Sequence, residues 1–304
     1  MAPPTPRVIM IKPKIVALGE VLWDLLPEGR MLGGAPANFA VHAHALGAEA
    51  HLVSRVGQDA LGSEIIETLA AKGLPVDDVQ VDPAAPTGTV SVELGAGGLP
   101  QYVIHERVAW DAIAATPGAL AMMAGADAVC FGSLAQRSLV SRGGIRALVG
   151  ATPERALRIF DINLRQHYFS TEIVVASLGL ANVLKLNETE MPVLAAMFDL
   201  DGDLPRQLEA LAARFGLRAV ALTLGARGSM LLVDGVLSEH PGVKVEVRDT
   251  IGAGDAFTAV LCLGLLAGWP PDRINERAST VAAFVCSQVG ATPELPGELR
   301  VIGL

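Results

Sequence analysis

Between Arg248 and Phe257 the chain reads Arg-Asp-Thr-Ile-Gly-Ala-Gly-Asp-Ala-Phe, a glycine-flanked turn and a carboxylate directly ahead of a long apolar run. Gly252 and Gly254 allow steep backbone conformations and close approach to a ligand. The segment from Ala256 to Ala267 reads as a helix that stops at Gly268 and Pro270. Amides at a helix start, together with the positive end of its dipole, suit the charge that builds up in phosphoryl or acyl transfer. Gly252, Ala253 and Gly254 would supply those amides, and Asp255 would accept a proton. The same residues also fit a tight turn with Asp255 as a helix N-cap, so the surroundings must discriminate.

Other polar residues follow apolar runs at regular intervals. Gly19, Glu20 and Asp24 come after Lys14 to Leu18, Asn163 and Arg165 after Arg158 to Ile162, Asn187 and Glu190 after Asn182 to Leu186, and Thr223, Gly225 and Gly228 after Ala219 to Leu224. In open α/β sheets ligands bind beyond the carboxyl ends of the strands. These residues would therefore line one crevice with hydroxyl binders, a cation and metal-side carboxylates.

The elements that must position them alternate. His51 to Val56 and Ala128 to Gly132 complete six strand-like runs, separated by helix-like segments at Ala37 to Leu46, Leu61 to Lys72, Pro117 to Ala124, Arg142 to Ala151, Glu188 to Met197 and Leu204 to Phe215. Such alternation predicts a mostly parallel sheet covered on both faces. Thr87 to Ala109 breaks the rhythm with period-two alternation around Gly95 to Gly98, a hairpin outside the main sheet. Val21 to Met31 would add strands beside it, giving a small discontinuous β lid. No internal repeat is present.

With 304 residues, 51% of them hydrophobic and 18% charged, the chain can bury a full core. A net charge of -9 without a basic block argues against nucleic acid or anionic membrane as partners and for a small molecule. Cys130, Cys262 and Cys286 are far apart in apolar stretches and read as buried thiols, not as a disulfide or zinc set. His42 and His44, two apart on a helix, do not share a face for a metal. The longest apolar run is too short for a bilayer, and the expectation is a cytoplasmic protein. No Gly-x-Gly-x-x-Gly follows the first strand, which excludes a Rossmann oxidoreductase.

The stretch at 248–257 resembles the C-terminal signature of the ribokinase/phosphofructokinase B family of carbohydrate kinases, and the similarity runs over roughly residues 14–296. Gly33-Gly34-Ala35-Pro36-Ala37-Asn38-Phe39-Ala40 resembles the family's sugar-binding motif, Asp161-Ile162-Asn163-Leu164-Arg165 its Asp-x-Asn-x-Arg segment, Asn187-Glu188-Thr189-Glu190 its Asn-x-x-Glu motif, and Thr223 to Ser229 its nucleotide-facing loop. The resemblance implies a ribokinase-like three-layer α/β/α fold with a mostly parallel central sheet and a β-sheet lid. It implies a single kinase domain over 1–304, with the lid drawn from about 21–33 and 87–109.

It further implies ATP-dependent phosphorylation of a primary sugar hydroxyl, with Asp255 as base and the Gly252–Gly254 amides as anion hole. Gly33, Gly34, Asp24, Asn38, Tyr102 and Arg165 would bind sugar. Thr223, Gly225 and Gly228 would face the nucleotide, and an adenine pocket would lie near Ala278 to Ala283. Asn187 and Glu190 would hold waters around Mg²⁺, which takes few direct protein ligands, although the pair also has capping-box spacing. Arg165 and the Thr223 loop likewise fit an ion pair and a β-turn. Asp249 would contribute to a K⁺ site shared with Val285 to Glu294, where Glu294 stands in place of the serine common in relatives.

The wording of Gly19 to Asp24 and of the glycine motif is nearest to fructokinases, so D-fructose is the expected substrate. A 2-keto-3-deoxygluconate kinase, whose acid would suit Arg165, or a ribokinase is the alternative. Lid residues Gln101, Tyr102 and His105 would bear on that choice, with Trp110 and Asp111 packing and capping behind them. A non-catalytic sugar or nucleotide sensor is the reading from another class. A lid edge strand could pair two copies into a homodimer.

Overall fold

Strands covered by helices on both faces have no solvent side, so they are apolar throughout. Ile15-Val16-Ala17-Leu18, Ala128-Val129-Cys130-Phe131 and Ala219-Val220-Ala221-Leu222 meet that demand and are all buried. In the computed structural model, which describes residues 12–27, 29–94 and 100–300, these runs form the centre of a large sheet.

The chain begins with β1 (Lys14–Leu18), β2 (Leu22–Leu26), β3 (Gly29–Gly33), α1 (Ala35–Ala45), β4 (Glu49–Gly57), α2 (Ala60–Ala71) and β5 (Val79–Asp82). It continues through β6 (Thr89–Leu94), β7 (Pro100–Ile104), α3 (Pro117–Ala124), β8 (Ala128–Phe131), α4 (Leu139–Gly150), β9 (Leu157–Asp161) and α5 (Thr171–Leu180). The last part contains β10 (Val183–Asn187), α6 (Met191–Phe198), α7 (Leu204–Phe215), β11 (Ala219–Thr223), β12 (Ser229–Val233), β13 (Val236–His240), α8 (Ala253–Leu266), α9 (Pro271–Cys286) and α10 (Gly297–Arg300).

The main sheet has nine strands in the order β13-β12-β11-β10-β9-β8-β1-β4-β5. It is parallel from β11 to β5, and β12 and β13 add an antiparallel edge. Residues of β1 alternate between two cores. Ile15 and Ala17 pack with α1, α8 and α9, while Val16 and Leu18 pack with the layer from α3 to α7. The result is the expected three-layer α/β/α fold. Strand order reverses beside β1, and in open α/β sheets such a reversal is where ligands bind, beyond the carboxyl ends of the strands. A second, four-stranded sheet, β3-β2-β6-β7, forms the lid.

Six predicted strands are present, with ends shifted by a few residues. The expected helix at Ala256 begins three residues earlier, at Ala253, so Asp255 lies inside the first turn and not ahead of it. β5, β12, β13, α5 and α9 were not anticipated. The glycine-rich turn expected at 95–98 lies outside the described residues. Among the described residues no helix is long and apolar enough to cross a membrane.

Candidate active site

Helix α8 starts at Gly252, whose φ of 79° is left-handed and whose missing Cβ would otherwise overlap the carbonyl of Ala291. No side chain caps this end. Ala253 N makes only a long 3.4 Å bond to the Thr250 carbonyl, so the first-turn amides remain able to bind an anion. The loop opposite is held in place from below, because His42 Nε2 donates to the Ala291 carbonyl at 2.9 Å. Burial lowers His42 to about 4, which keeps it neutral.

Asp255 is 9% exposed, and its Oδ2 accepts a 2.9 Å hydrogen bond from Asn38 Nδ2 on α1. This bond joins residues 217 positions apart in sequence. Burial, reinforced by the charge of Asp161, pushes the Asp255 carboxyl up to about 6 against the opposing pull of Lys185, Asn38 and Arg165. Asn38 Oδ1 is buried without a hydrogen-bond partner.

Beneath the cradle lies a buried ion pair, Lys185 Nζ to Asp161 Oδ1 at 3.1 Å. Thr258 Oγ1 sits 2.8 Å from Asp161 Oδ2 and 2.9 Å from the Gly254 carbonyl oxygen, tying the pair to α8. A Cβ on Gly254 would come within 2.9 Å of Lys185 Nζ, so glycine there lets the ammonium lie directly under the amides. Burial alone would lower Lys185. The surrounding Asp161, Glu190 and Asp255 outweigh it and hold the ammonium charged.

Around the mouth stand Glu20, Asp24, Arg165 and Asp249. Burial raises Glu20 to about 7 and Asp24 to about 6, with Arg165 pulling both down. Glu20 Oε2 has no hydrogen-bond partner. Arg165 is exposed, and its side chain donates to the carbonyl of Leu164 at 3.2 Å. Asp249 accepts from Ile251 N and Gly290 N, both at 3.0 Å, binding the turn before α8 to the loop after α9.

A model of the pfkB family of carbohydrate kinases matches residues 29–297. The chain belongs to that family. It is a carbohydrate kinase. A fructokinase of Klebsiella pneumoniae is 32% identical over 92% of this chain and 93% of its own. A 2-dehydro-3-deoxygluconokinase of Thermoproteus tenax is 27% identical over 93% and 91%. The crystal structure of a fructokinase from Vibrio cholerae in fructose-, ADP- and calcium-bound form superposes with a TM-score of 0.78 at 25% identity, covering 93% and 96%.

Within this carbohydrate kinase Asp24, Asn38, Arg165, Asp249 and Asp255 of the predicted residues stand close enough to bond or to act on one another's charge. The room left by Gly33 and Gly34 is filled by the protein. A Cβ on Gly33 would overlap the Asp24 carboxylate, and one on Gly34 would lie 2.5 Å from the Glu20 carbonyl oxygen. Asn187 and Glu190 form a reciprocal cap at the start of α6: Glu190 N donates to Asn187 Oδ1 at 3.1 Å and Asn187 N to Glu190 Oε2 at 2.8 Å. Glu190 Oε1 also accepts from Leu164 N at 2.8 Å, fixing the Arg165 loop. Tyr102, on β7, is 53% exposed.

Thr223 Oγ1 reaches the Leu186 carbonyl at 3.4 Å, and Gly225 to Arg227 form a 3-10 turn. Gly225 and Gly228 have φ of 58° and 92°, and Arg227 pairs with Glu188 at 2.7 Å. Part of the expected adenine pocket is core: Ala278 and Val281 are buried in α9, and Ser279 Oγ is 3.0 Å from Ser229 Oγ. Cys130 and Cys262 are buried as expected, whereas Cys286 is only partly so. Glu294 is turned to Arg300. Trp110 is buried, and Asp111 accepts from Val108 N at 3.2 Å, the packing and capping expected of them.

Lys185 and its partners Asp161 and Thr258 were missed as a unit. A signal existed: Val-Leu-Lys-Leu-Asn puts a lysine in a strand otherwise apolar on both faces, and lysine is almost never fully buried unless paired.

Proposed function

We propose that this kinase transfers the γ-phosphoryl group of ATP to a primary hydroxyl of a neutral ketose, with D-fructose as first choice. The observation that carries the reading is the Asn38–Asp255 hydrogen bond, which holds a buried carboxylate at the uncapped start of α8. Asp255 accepts the hydroxyl proton as the sugar oxygen bonds to the γ-phosphorus and the bond to ADP breaks. The amides of Gly252, Ala253 and Gly254 hold the transferring group, and Lys185 offsets its charge from below. Asp24 and Asn38 Oδ1 bind sugar hydroxyls beside Gly33 and Gly34, with Tyr102 and Arg165 at the lid side. Thr223, Gly225 and Gly228 face the nucleotide.

Magnesium fits only through water. Among the described residues no His/Cys/Asp/Glu group could enclose a metal ion, and Glu190 already accepts two backbone amides. Its remaining lone pairs, and Asn187, would anchor waters of hydrated Mg²⁺, which neutralises the nucleotide phosphates when bound. Asp249, oriented by Ile251 and Gly290, would add a carboxylate to a K⁺ site. The whole chain acts as one catalytic unit in the cytoplasm. Pairing of two copies would use the lid edge at β3.

Charge favours a neutral acceptor. Glu20, Asp24 and Asp255 all act on Arg165, so a sugar acid would have to share its guanidinium with those carboxyls. The second reading, a 2-keto-3-deoxygluconate kinase, rests on Arg165 making no ion pair among the described residues and so remaining able to grip a carboxylate. Coupled ADP release over ketoses, aldoses and sugar acids decides. Fructose is expected to give the highest kcat/KM; a higher value for the sugar acid replaces the first reading with the second, and nucleotide binding without turnover on any sugar would favour a sensor.

A further inference from the structure

The loop after β9 is strained on both sides of Arg165. Asn163 (φ 45°) and Gln166 (φ 48°) are non-glycine residues in left-handed conformation, a cost that persists only where surrounding contacts demand it. On the body side, Leu164 N is bonded to Glu190, and Ser133 Oγ donates to the Asn163 carbonyl at 3.3 Å. On the lid side, Gln166 Nε2 donates to the Tyr102 carbonyl at 2.7 Å, and the Tyr168 hydroxyl is 3.2 Å from the Ile104 carbonyl oxygen and 3.0 Å from Glu106 Oε1.

β7 is an edge strand of the lid, and its other side is occupied by β6. The loop therefore fastens to the carbonyls that β7 presents away from its partner. The root of β7 is fixed separately. Arg137 donates to the His105 carbonyl at 2.6 Å, pairs with Asp111 at 2.8 Å, and lies between the Trp110 and Tyr168 rings at 3.9 and 4.7 Å. Tyr168 thus stands on a rigid post, whereas Gln166 reaches outward along the lid strand. Arg165 hangs between the body anchor at Leu164 and the lid anchor at Gln166.

We propose that residues 163–168 form a strap that passes the position of the lid to Arg165, with Gln166 and Tyr168 as positioning residues. This inference rests on the sugar-kinase reading of the site. Closing β7 over a bound sugar draws the guanidinium toward it, and an open lid leaves the cation withdrawn. ATP turnover without sugar is thereby suppressed, because the cation enters only behind a closed lid.

Gln166→Gly removes the strap while suiting the left-handed backbone, and Tyr168→Phe keeps the ring over Arg137 while losing the hydroxyl. With folding verified by thermal unfolding, each is expected to raise the sugar KM about 3- to 10-fold. The pair should raise it further and lift the ratio of ADP released to sugar phosphate formed above one. Nucleotide affinity measured without sugar stays unchanged, and Gln166→Arg, which restores a donor, recovers most of the loss. On an Arg165→Met background Gln166→Gly should add little, since both act through one group. An unchanged sugar KM with one-to-one stoichiometry in the folded double variant overturns the strap, as does full additivity with Arg165→Met. Wild-type protein that phosphorylates no sugar overturns instead the reading beneath it.

Discussion

At Asp255 the reactivity is set by the neighbours of its two carboxyl oxygens. One oxygen is engaged by Asn38, and burial makes the carboxyl a stronger proton acceptor than an exposed aspartate. Asp255→Asn preserves shape and removes the base. Turnover should fall roughly 10²- to 10⁴-fold with nucleotide binding nearly intact, and a variant retaining most of its kcat would take Asp255 out of that role. The required form is the carboxylate and its pKa lies at about 6. Below that value the protonated fraction grows with each step down in pH, so kcat/KM should decline on the acid side and level off above it. An acid limb centred near that of an ordinary aspartate would contradict the burial argument. Asp255 was legible from its place after Gly-Ala-Gly; Asn38 as its partner was not, because 217 residues separate them.

At the scale of the element, the start of α8 works because two glycines admit what other residues would exclude. Gly252→Ala would set a Cβ against the Ala291 carbonyl in a left-handed conformation. A loss of about 2 kcal/mol or more is expected in denaturant unfolding, together with weakened nucleotide-dependent turnover. β10 contributes its own constraint through Lys185. Lys185→Met should cost about 3–5 kcal/mol, because Asp161 is left buried and unpaired. Asp161→Asn added to Lys185→Met should restore much of that stability while turnover stays low. Recovery of both together would make the pair purely structural. The lysine's position mid-strand was visible in the sequence, but only the approach of Gly254 connects it with the cradle.

At the scale of the whole molecule, a rigid nine-stranded sheet carries the crevice and a smaller sheet covers it. β1 and β8 to β11 are enclosed in two apolar cores, whereas Tyr102 and Leu25 of the lid are exposed. Hydrogen exchange should show the lid amides opening far more readily than those of β1. Protection of β7 should rise on adding sugar together with nucleotide. Uniform exchange in both sheets would mean that the lid does not move independently. Because Gln166 and Tyr168 occupy carbonyls of β7, β3 is the edge open to a second copy. Sedimentation is expected to find a dimer, and a monomer at all concentrations would dismiss the pairing.

The amino-acid sequence alone determined the alternation of elements, because burial on both faces and helix termination are written in local composition. It also marked the place of the glycine turn before an apolar run, but not that the helix starts at Ala253 with Asp255 inside its first turn, because glycine permits many backbone conformations and Ala291 packs against only one of them. The discontinuous β5, β12 and β13 escaped it: short strands at sheet edges carry weak patterning, and a neighbour supplies their pairing. What only the tertiary structure decided is which side chains share space. Asn38 with Asp255, Lys185 with Gly254, and Gln166 with Tyr102 are meetings across long sequence intervals, and the packing of helices and lid against one sheet brings them about.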